Sequence, residues 1–202
     1  MPIELFEAIR DSRRADLRAS IARILPSRDA AFVLEIGCGN GHFLTAYAAA
    51  HSERLCIGID LRLMRVDKAL RKRGSASLSN VHFLRGDVEN FFHELPREAR
   101  LTEIYMLFPD PWPKKRHHKN RLFRPDFLKE LASRGGEGTR LFFRTDFKPY
   151  YDEAVSIASS HPCWTLLSDG PFPFEHMTIF QSRAPVFHSL TAGWKAAPAP
   201  VD

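Results

Sequence analysis

The sequence predicts an α/β fold in which a mostly parallel, seven-stranded sheet with an antiparallel last strand carries helices on both faces. Two observations predict the parallel sheet and its helices, whereas the antiparallel placement of the last strand is fold analogy. From residue 31 onward, short apolar or β-rich segments alternate with segments of helical periodicity. An acidic residue also lies at or just after the end of each of the first five strand-like segments. Strands that alternate with helices form parallel sheets covered on both faces, because each crossover connection carries a helix.

The residues ahead of the sheet predict one amphipathic helix, Ile3–Ile24. Apolar residues recur at near-helical spacing among arginines, at Leu5, Ile9, Leu17, Ile21 and Ile24. Residues 1–30 are therefore expected to form an N-terminal helical arm, whose arginines are candidates for contact with RNA.

The sheet itself is predicted from residues 31–37, 54–60, 81–86, 102–108 and 139–145, with helices at 41–51, 61–73, 88–95, 124–133 and 148–160. Two further strands are expected at 163–168 and 184–190, the last antiparallel beside the sheet edge. Residues 31–195 would then form one domain, and the Ala- and Pro-rich residues 196–202 a disordered tail.

Length and composition limit the class of protein. The 202 residues suit a single α/β domain. A formal net charge of +5 suits an acidic partner. Three scattered cysteines suggest neither a disulfide framework nor a zinc site, and we expect no metal. With neither a signal peptide nor an apolar run of about 18 residues, a cytoplasmic protein is expected.

The strand ends hold the candidate ligand-binding residues, because open α/β sheets bind ligands beyond the carboxyl ends of their strands. The first strand ends in Glu35-Ile-Gly-Cys-Gly-Asn-Gly41, and acids follow the others at Asp60, Asp87, Asp110 and Asp146. Gly37, Gly39 and Gly41 allow a sharp turn and close approach of a ligand to the next helix. A dinucleotide fingerprint would place its third glycine where His42 stands.

The acid beside the glycine turn indicates the charge of the ligand. Glu35 would repel a pyrophosphate but would attract an ammonium or sulfonium group, which S-adenosylmethionine offers. Asp60 could then accept the ribose hydroxyls, and Asp87, followed by Val88, could accept the adenine amine. Each aspartate could instead be only an N-cap or loop acid before the following helix.

A proline-rich loop and a cationic run follow the fourth strand. Pro109, Pro111 and Pro113 disfavour helix and predict a stiff loop, in which Trp112 could stack on a base or pack over the sheet. Six cations follow without an intervening acid and are expected to form a phosphate-binding patch: Lys114, Lys115, Arg116, Lys119, Arg121 and Arg124.

Together these residues resemble the bacterial tRNA (guanine-N7-)-methyltransferases of the TrmB type. The most specific likeness is Phe108-Pro-Asp-Pro-Trp-Pro-Lys-Lys-Arg-His-His-Lys119, supported by the glycine turn and by Arg144-Thr-Asp146. The resemblance implies a Rossmann-like class I S-adenosylmethionine-dependent methyltransferase fold. It also implies cofactor contacts at Glu35, Asp60, Asp87 and Asp110 and substrate contacts at Lys114 and Asp146. A further signature, usually Thr-x-Phe-Glu, stands here as Thr178-Ile-Phe-Gln181, so Gln181 departs from the family.

The resemblance implies methyl transfer to N7 of a guanine in the tRNA variable loop. N7 has an in-plane lone pair and no proton, so positioning is needed and a general base is not. Asp110 would orient donor and guanine, while Asp146 would accept from the Watson–Crick edge. Lys114 would contact guanine O6 or a phosphate, next to Lys115 and Arg116; Thr178 and Gln181 complete the expected substrate contacts.

Three other classes of protein fit less well. Pro109-Asp-Pro-Trp112 is similar to the Asp/Asn-Pro-Pro-aromatic loop of exocyclic-amine methyltransferases, but Trp112 replaces the second proline. A dinucleotide-dependent oxidoreductase conflicts with Glu35 and with the glycine spacing. A non-catalytic RNA-binding protein would not need acids at the strand ends.

Overall fold

The computed structural model describes residues 3–168, 172–177, 181–184 and 186–196. In chain order the elements are α1 (Ile3–Ile24), β1 (Ala31–Ile36), α2 (His42–Ala50), β2 (Cys56–Asp60), α3 (Leu63–Ser75), β3 (Val81–Arg85), α4 (Val88–Glu94), β4 (Arg100–Leu107), α5 (Pro125–Ser133), β5 (Arg140–Thr145), α6 (Lys148–Ser160), β6 (Trp164–Leu166) and β7 (His188–Trp194), with short 3₁₀ helices at Lys115–Asn120 and Gln181–Arg183. The predicted helical arm and the alternation of strands and helices are both observed.

The seven strands form one sheet in the order β3-β2-β1-β4-β5-β7-β6. The first five are parallel, and β7 is antiparallel to both β5 and β6. This confirms the predicted fold class. The order reverses at β1, where β2 lies on one side and β4 on the other, and such a reversal opens a crevice at the carboxyl ends of the strands.

The last strand was wrongly located by the sequence pattern. It covers His188–Trp194 instead of 184–190, and it lies between β5 and β6 instead of beside the edge. Phe187 made the earlier segment look strand-like, but its ring packs against Phe108 and the Arg144 guanidinium. Leu190 and Ala192 are the residues that β7 buries.

Two apolar cores lie on the two faces of the sheet. One contains α4, α5 and α6 together with Leu17 and Ile21 of α1. The other contains α2 and α3 and is completed by Phe172 and Phe174, from the long connection between β6 and β7. Phe172 packs on the Tyr105 and Phe142 rings, so this connection covers the sheet beside α2.

Helix α1 is fastened to α4 by apolar contacts and ion pairs. Arg14 and Arg18 bind opposite oxygens of Glu94, at 2.8 Å and 2.6 Å, and these guanidinium groups lower the pKa of that carboxyl. Within the described part of the chain, no helix is both long and apolar enough to cross a lipid bilayer.

Candidate active site

The register of the sheet brings the predicted strand-end residues to one edge. Ile36 at the end of β1 pairs with Ile59 of β2 and with Met106 of β4, and Leu107 pairs with Arg144 of β5. The residues that follow these strands therefore lie along one edge of the sheet, where open α/β sheets form their ligand crevice. From one side to the other its acids are Asp87, Asp60, Glu35, Asp110 and Asp146.

The glycine turn after β1 requires glycine at three positions. Gly37, Gly39 and Gly41 have φ values of 74°, 54° and 68°, in the left-handed region that L side chains rarely adopt. The N–H groups of Gly37 and Cys38 both donate to the Ile59 carbonyl, at 2.8 Å and 3.1 Å. These bonds fasten the turn to the neighbouring strand.

Two glycines of this turn differ in the space around their Cα atoms. A Cβ on Gly41 would lie 2.7 Å from the Phe83 ring and 2.8 Å from the Ala69 Cβ, so Gly41 lets α2 pack closely. A Cβ on Gly37 would meet no atom within 4 Å. The space beside Gly37 therefore belongs to the crevice, where a ligand can approach the backbone.

Asp60 organises the crevice floor. It is 6% exposed, accepts from the Gly39 N–H at 3.0 Å and the Arg62 N–H at 2.8 Å, and lies 3.6 Å from an Arg65 nitrogen. The N-cap of α3 is Arg62, so Asp60 does not cap that helix. Its carboxylate instead ties the glycine turn to the end of β2.

Glu35 is a buried carboxyl without a full set of partners. It is 4% exposed, and its Oε2 has no hydrogen-bond partner within the described structure. The pKa of Glu35 is raised to about 8, chiefly by burial; the Leu44 backbone N–H opposes the shift, and the nearby Asp60 carboxylate adds to it. A carboxyl left in this state inside a crevice is suited to a cationic ligand.

Asp87 is an N-cap, as the alternative interpretation expected. Its carboxylate accepts from the N–H groups of Glu89 and Asn90, at 2.8 Å and 3.4 Å, and so begins α4. The Val88 side chain is buried in the core instead of facing the crevice. Asp87 still stands next to Gly86, whose N–H donates to the Asp60 carbonyl at 3.1 Å.

The loop after β4 presents Asp110 from a strained backbone. Phe108 and Trp112, two residues to either side, have φ values of 51° and 44°. Such values cost about 1–3 kcal/mol each for a non-glycine residue and recur at functional sites. Asp110 is exposed, and the half-buried Trp112 has its ring edge-on to His117.

The predicted six-residue phosphate patch is wrong in two of its members. Arg121 is 1% exposed, donates to the Pro111 carbonyl at 2.9 Å, bonds Glu153 and stacks on the Tyr150 ring. It is a structural clamp for the proline loop. Arg124 forms an ion pair with Glu89 of α4. The cations that remain exposed are Lys114, Lys115, Arg116 and Lys119, and we call these four residues the basic loop.

A second ionic cluster joins the end of β5 to the connection between β6 and β7. Arg144 is buried, donates to both Glu175 oxygens at 3.0 Å and 2.7 Å and to Ser189 at 2.9 Å, and lies over the Phe172 ring. Gln181 also hydrogen-bonds Glu175. Asp146, two residues after Arg144, is exposed at the crevice edge.

The sequence pattern did not identify this cluster. The resemblance singles out Arg144 only as part of Arg144-Thr-Asp146, whereas its side chain binds Glu175, 31 residues away. No spacing in the sequence connects these two residues. Thr178 lies outside the described residues.

The chain is similar to known methyltransferases. Residues 29–181 match the model of a family described as "Putative methyltransferase". A tRNA (guanine-N(7)-)-methyltransferase of Hyphomonas neptunium is 37% identical over 176 residues, which cover 87% of this chain and 76% of that protein. The chain belongs to the tRNA (guanine-N(7)-)-methyltransferase family.

Other members of the tRNA (guanine-N(7)-)-methyltransferase family are longer. The protein of that name from Leifsonia xyli is 37% identical over 150 residues, which are 73% of this chain but 63% of that protein. For the Alkalilimnicola ehrlichii protein the figures are 36% identity, 67% and 57%. The chain thus spans less than two thirds of the length of several relatives.

Solved structures show the same fold at low identity. An rRNA methylase from Streptococcus thermophilus superposes with a TM-score of 0.56 at 14% identity, covering 88% of this chain and 93% of that one. TrmN from Thermus thermophilus superposes with a TM-score of 0.57 at 18% identity, covering 88% and 48%. Among the residues that the structure describes, no group of three or more His, Cys, Asp and Glu side chains is arranged to bind a metal ion.

Proposed function

We propose that the chain is an S-adenosylmethionine-dependent tRNA (guanine-N(7)-)-methyltransferase that modifies the variable-loop guanosine at position 46. The observation that carries the proposal is the unpartnered, buried Glu35 beside an open glycine turn, on the same sheet edge as the basic loop. A cationic methyl donor and a polyanionic substrate would meet at this edge.

The residues of the crevice fit the proposed cofactor. Glu35 would accept a hydrogen bond from the ammonium group, and Asp60 would accept one from the ribose. Gly37, with open space where a Cβ would stand, permits close approach, while Asp87 and the Val88 backbone would border the adenine. When bound, S-adenosylmethionine supplies an electrophilic methyl group on a sulfonium.

Asp110 is the proposed catalytic residue, through positioning. N7 of guanine attacks through its lone pair and loses no proton, so the chain needs to align the two reactants and exclude wrong geometries. Phe108 and Trp112, which flank Asp110, have positive φ values, and this constrained backbone would hold the carboxylate at the crevice edge. There it would also favour the positive charge that the purine acquires.

Asp146 is proposed to accept hydrogen bonds from the Watson–Crick edge of guanine, which carries N–H donors. Lys114 would contact guanine O6 or a nearby phosphate. Thr178 and Gln181 would complete the substrate site, with Gln181 held by Glu175. Glu175 also binds Arg144. A carboxylate therefore lies next to Gln181, the position at which the family usually has glutamate.

The basic loop is proposed to bind tRNA phosphates. Its four cations are exposed, whereas Arg121 behind them holds the loop in shape. Neutralising Lys115, Arg116 and Lys119 together should make the slope of log tRNA affinity against log salt concentration less steep. The decrease should correspond to the loss of roughly two to three phosphate contacts. Neutralising the exposed Arg28, Arg100 and Arg140, at the amino edge of the sheet, removes the same charge and should leave that dependence unchanged.

Transfer of a labelled methyl group from S-adenosylmethionine to bulk tRNA tests the function directly. The label is expected on guanine N7 at one position of the variable loop. Label on an exocyclic amine would assign the chain to the amino methyltransferases instead. Absence of transfer, with tight NAD binding, would refute the proposal.

The proposed enzyme is cytoplasmic, because its substrate is tRNA. Residues 31–195 are proposed to form its catalytic domain. We propose a monomer or homodimer that needs no obligate protein partner, which sedimentation with and without tRNA would test.

A further inference from the structure

The amino-terminal half of helix α1 lies beside the carboxyl end of β3, where Arg10, Arg13 and Leu17 line the same groove as Gly86. Leu17 lies level with the end of β3, because its side chain is the nearest neighbour of Gly86. At 1.5 Å per residue, Arg13 and Arg10 stand about 6 Å and 10 Å from Leu17 along the helix axis.

The face of α1 that turns toward the domain is apolar in its carboxyl-terminal part and basic in its amino-terminal part. Residues 10, 14, 17, 21 and 24 are spaced by three or four and share one helical stripe. Leu17 and Ile21 are buried in the core, whereas Arg10 and Arg14 occupy the amino-terminal part of the same stripe. Arginine thus replaces apolar residues where the helix leaves the core.

The arginines of α1 have separate roles. Arg14 and Arg18 bind Glu94 and fasten the helix to α4. Arg13 is exposed and makes no ion pair within the described structure, while Arg10 contacts only the adjacent, exposed Asp11, at 3.4 Å. Arg10 and Arg13, which we call the α1 arginine pair, are therefore available to a partner.

The α1 arginine pair lines a groove that reaches Asp87, a residue of the proposed cofactor site. The groove has a volume of about 440 Å³ and lies between α1 and the ends of β2 and β3, with Leu61, Gly86 and Asp87 in its wall. Arg85, at the end of β3, adds a third exposed cation to the same groove, whose lining also contains Asp16 and Asp67. Arg124, which follows the basic loop in the chain, pairs with Glu89 of α4, the helix that Arg14 and Arg18 of α1 also bind.

We infer that the α1 arginine pair is a second phosphate-binding surface for tRNA, across the crevice from the basic loop. The inference rests on the proposed function, because it needs a polyanion that enters the crevice. Two cationic surfaces on either side would hold the RNA backbone at two points and so orient the guanine between them. The favoured partner is RNA because planar guanidinium groups bind phosphate oxygens bidentately.

Exchange of both arginines for alanine tests the surface. The variant R10A/R13A should bind tRNA about tenfold more weakly near 100 mM salt, with a salt slope smaller by roughly 1.4 to 1.8. Its affinity for S-adenosylhomocysteine should be unchanged. R10K/R13K, which keeps the charge, should recover most of the salt slope. The matched control is R23A/R28A, which removes two exposed arginines from the other end of the arm.

Three results would overturn the inference. The first is an unchanged tRNA affinity in R10A/R13A, and the second is an equal loss of tRNA affinity in the control variant. The third is a loss confined to S-adenosylhomocysteine binding, which would make α1 a wall of the cofactor site only. Unchanged thermal unfolding of the variant will show that α1 remains packed on the domain. Failure of the wild-type protein to methylate tRNA would refute the proposed function itself, whereas a missing contrast between the variants would refute this surface alone.

Discussion

The buried Glu35 makes cofactor binding depend on pH. Burial raises the pKa of its carboxyl to about 8 in the ligand-free protein, and a cation bound at Oε2 would lower it. Binding then releases one proton at any pH between the two pKa values. About 1% of the carboxyl is ionised at pH 6 and about half at pH 8, so affinity should rise about 50-fold over that range.

Calorimetric titration with S-adenosylhomocysteine measures both the affinity and the number of protons released on binding. This ligand is suitable because its ammonium group stays charged through most of the range from pH 6 to pH 8. Repeating the titration at pH 6 in buffers of different ionisation enthalpy should give a release of about one proton. The variant Glu35→Gln should bind weakly, with an affinity that changes less than about twofold with pH. Glu98→Gln, at an exposed site on the amino side of the sheet, should behave as wild type. A flat pH profile for the wild-type protein would refute this reasoning.

The same pKa shift affects the stability of the ligand-free protein in the opposite direction. Because the folded pKa lies above the ordinary value of 4.5, the neutral carboxyl stabilises the fold below about pH 4.5. That contribution is lost as the pH rises through about 8. Glu35→Gln should therefore exceed the wild type in the free energy of unfolding at pH 8 and approach it at pH 5, as measured by urea denaturation.

Further substitutions separate the roles of individual residues. Gly41→Ala should lower the free energy of unfolding by about 2–4 kcal/mol in denaturant titrations, since its Cβ would clash with Phe83 at a positive φ. Gly37→Ala should cost about 1 kcal/mol and mainly weaken S-adenosylhomocysteine binding; the opposite ranking would contradict the assigned geometry. Asp60→Asn should weaken that binding about 10- to 100-fold, measured by equilibrium dialysis, and an unchanged affinity would remove Asp60 from the site. Arg121→Lys should lower the melting temperature and raise KM for tRNA while cofactor affinity is kept; a change in salt slope alone would instead make Arg121 a phosphate contact.

The sequence predicts the first five strands well because two signals coincide at each. A short apolar run sets the strand, and a glycine or acid at its carboxyl end stops it, as at Glu35–Gly37 and at Asp60. The observed bounds β1 (Ala31–Ile36) and β2 (Cys56–Asp60) lie within two residues of the prediction. The last strand lacks such a stop, and the apolar Phe187 before it serves the Arg144 cluster instead of the ladder.

Side-chain roles are harder to predict where distant segments supply the partner. In the sequence, Arg121 is one more cation of the basic run. In the structure its side chain is buried against Tyr150 and Glu153 of α6. Glu175 carries no local pattern, and only the fold places it against Arg144. The sequence indicated two possible roles for Asp87, as an N-cap and as a cofactor contact. A residue that follows a strand and precedes a helix can cap that helix and also lie at the carboxyl edge of the sheet.

A crystal structure with S-adenosylhomocysteine bound would test the central claim most directly, since that claim concerns which atoms of the chain hold the ligand. The account predicts the ligand ammonium within hydrogen-bonding distance of Glu35 Oε2, the ribose hydroxyls at Asp60 and the sulfur turned toward Asp110. Binding at another face of the sheet, or a Glu35 carboxyl with no contact to the ligand, would contradict it.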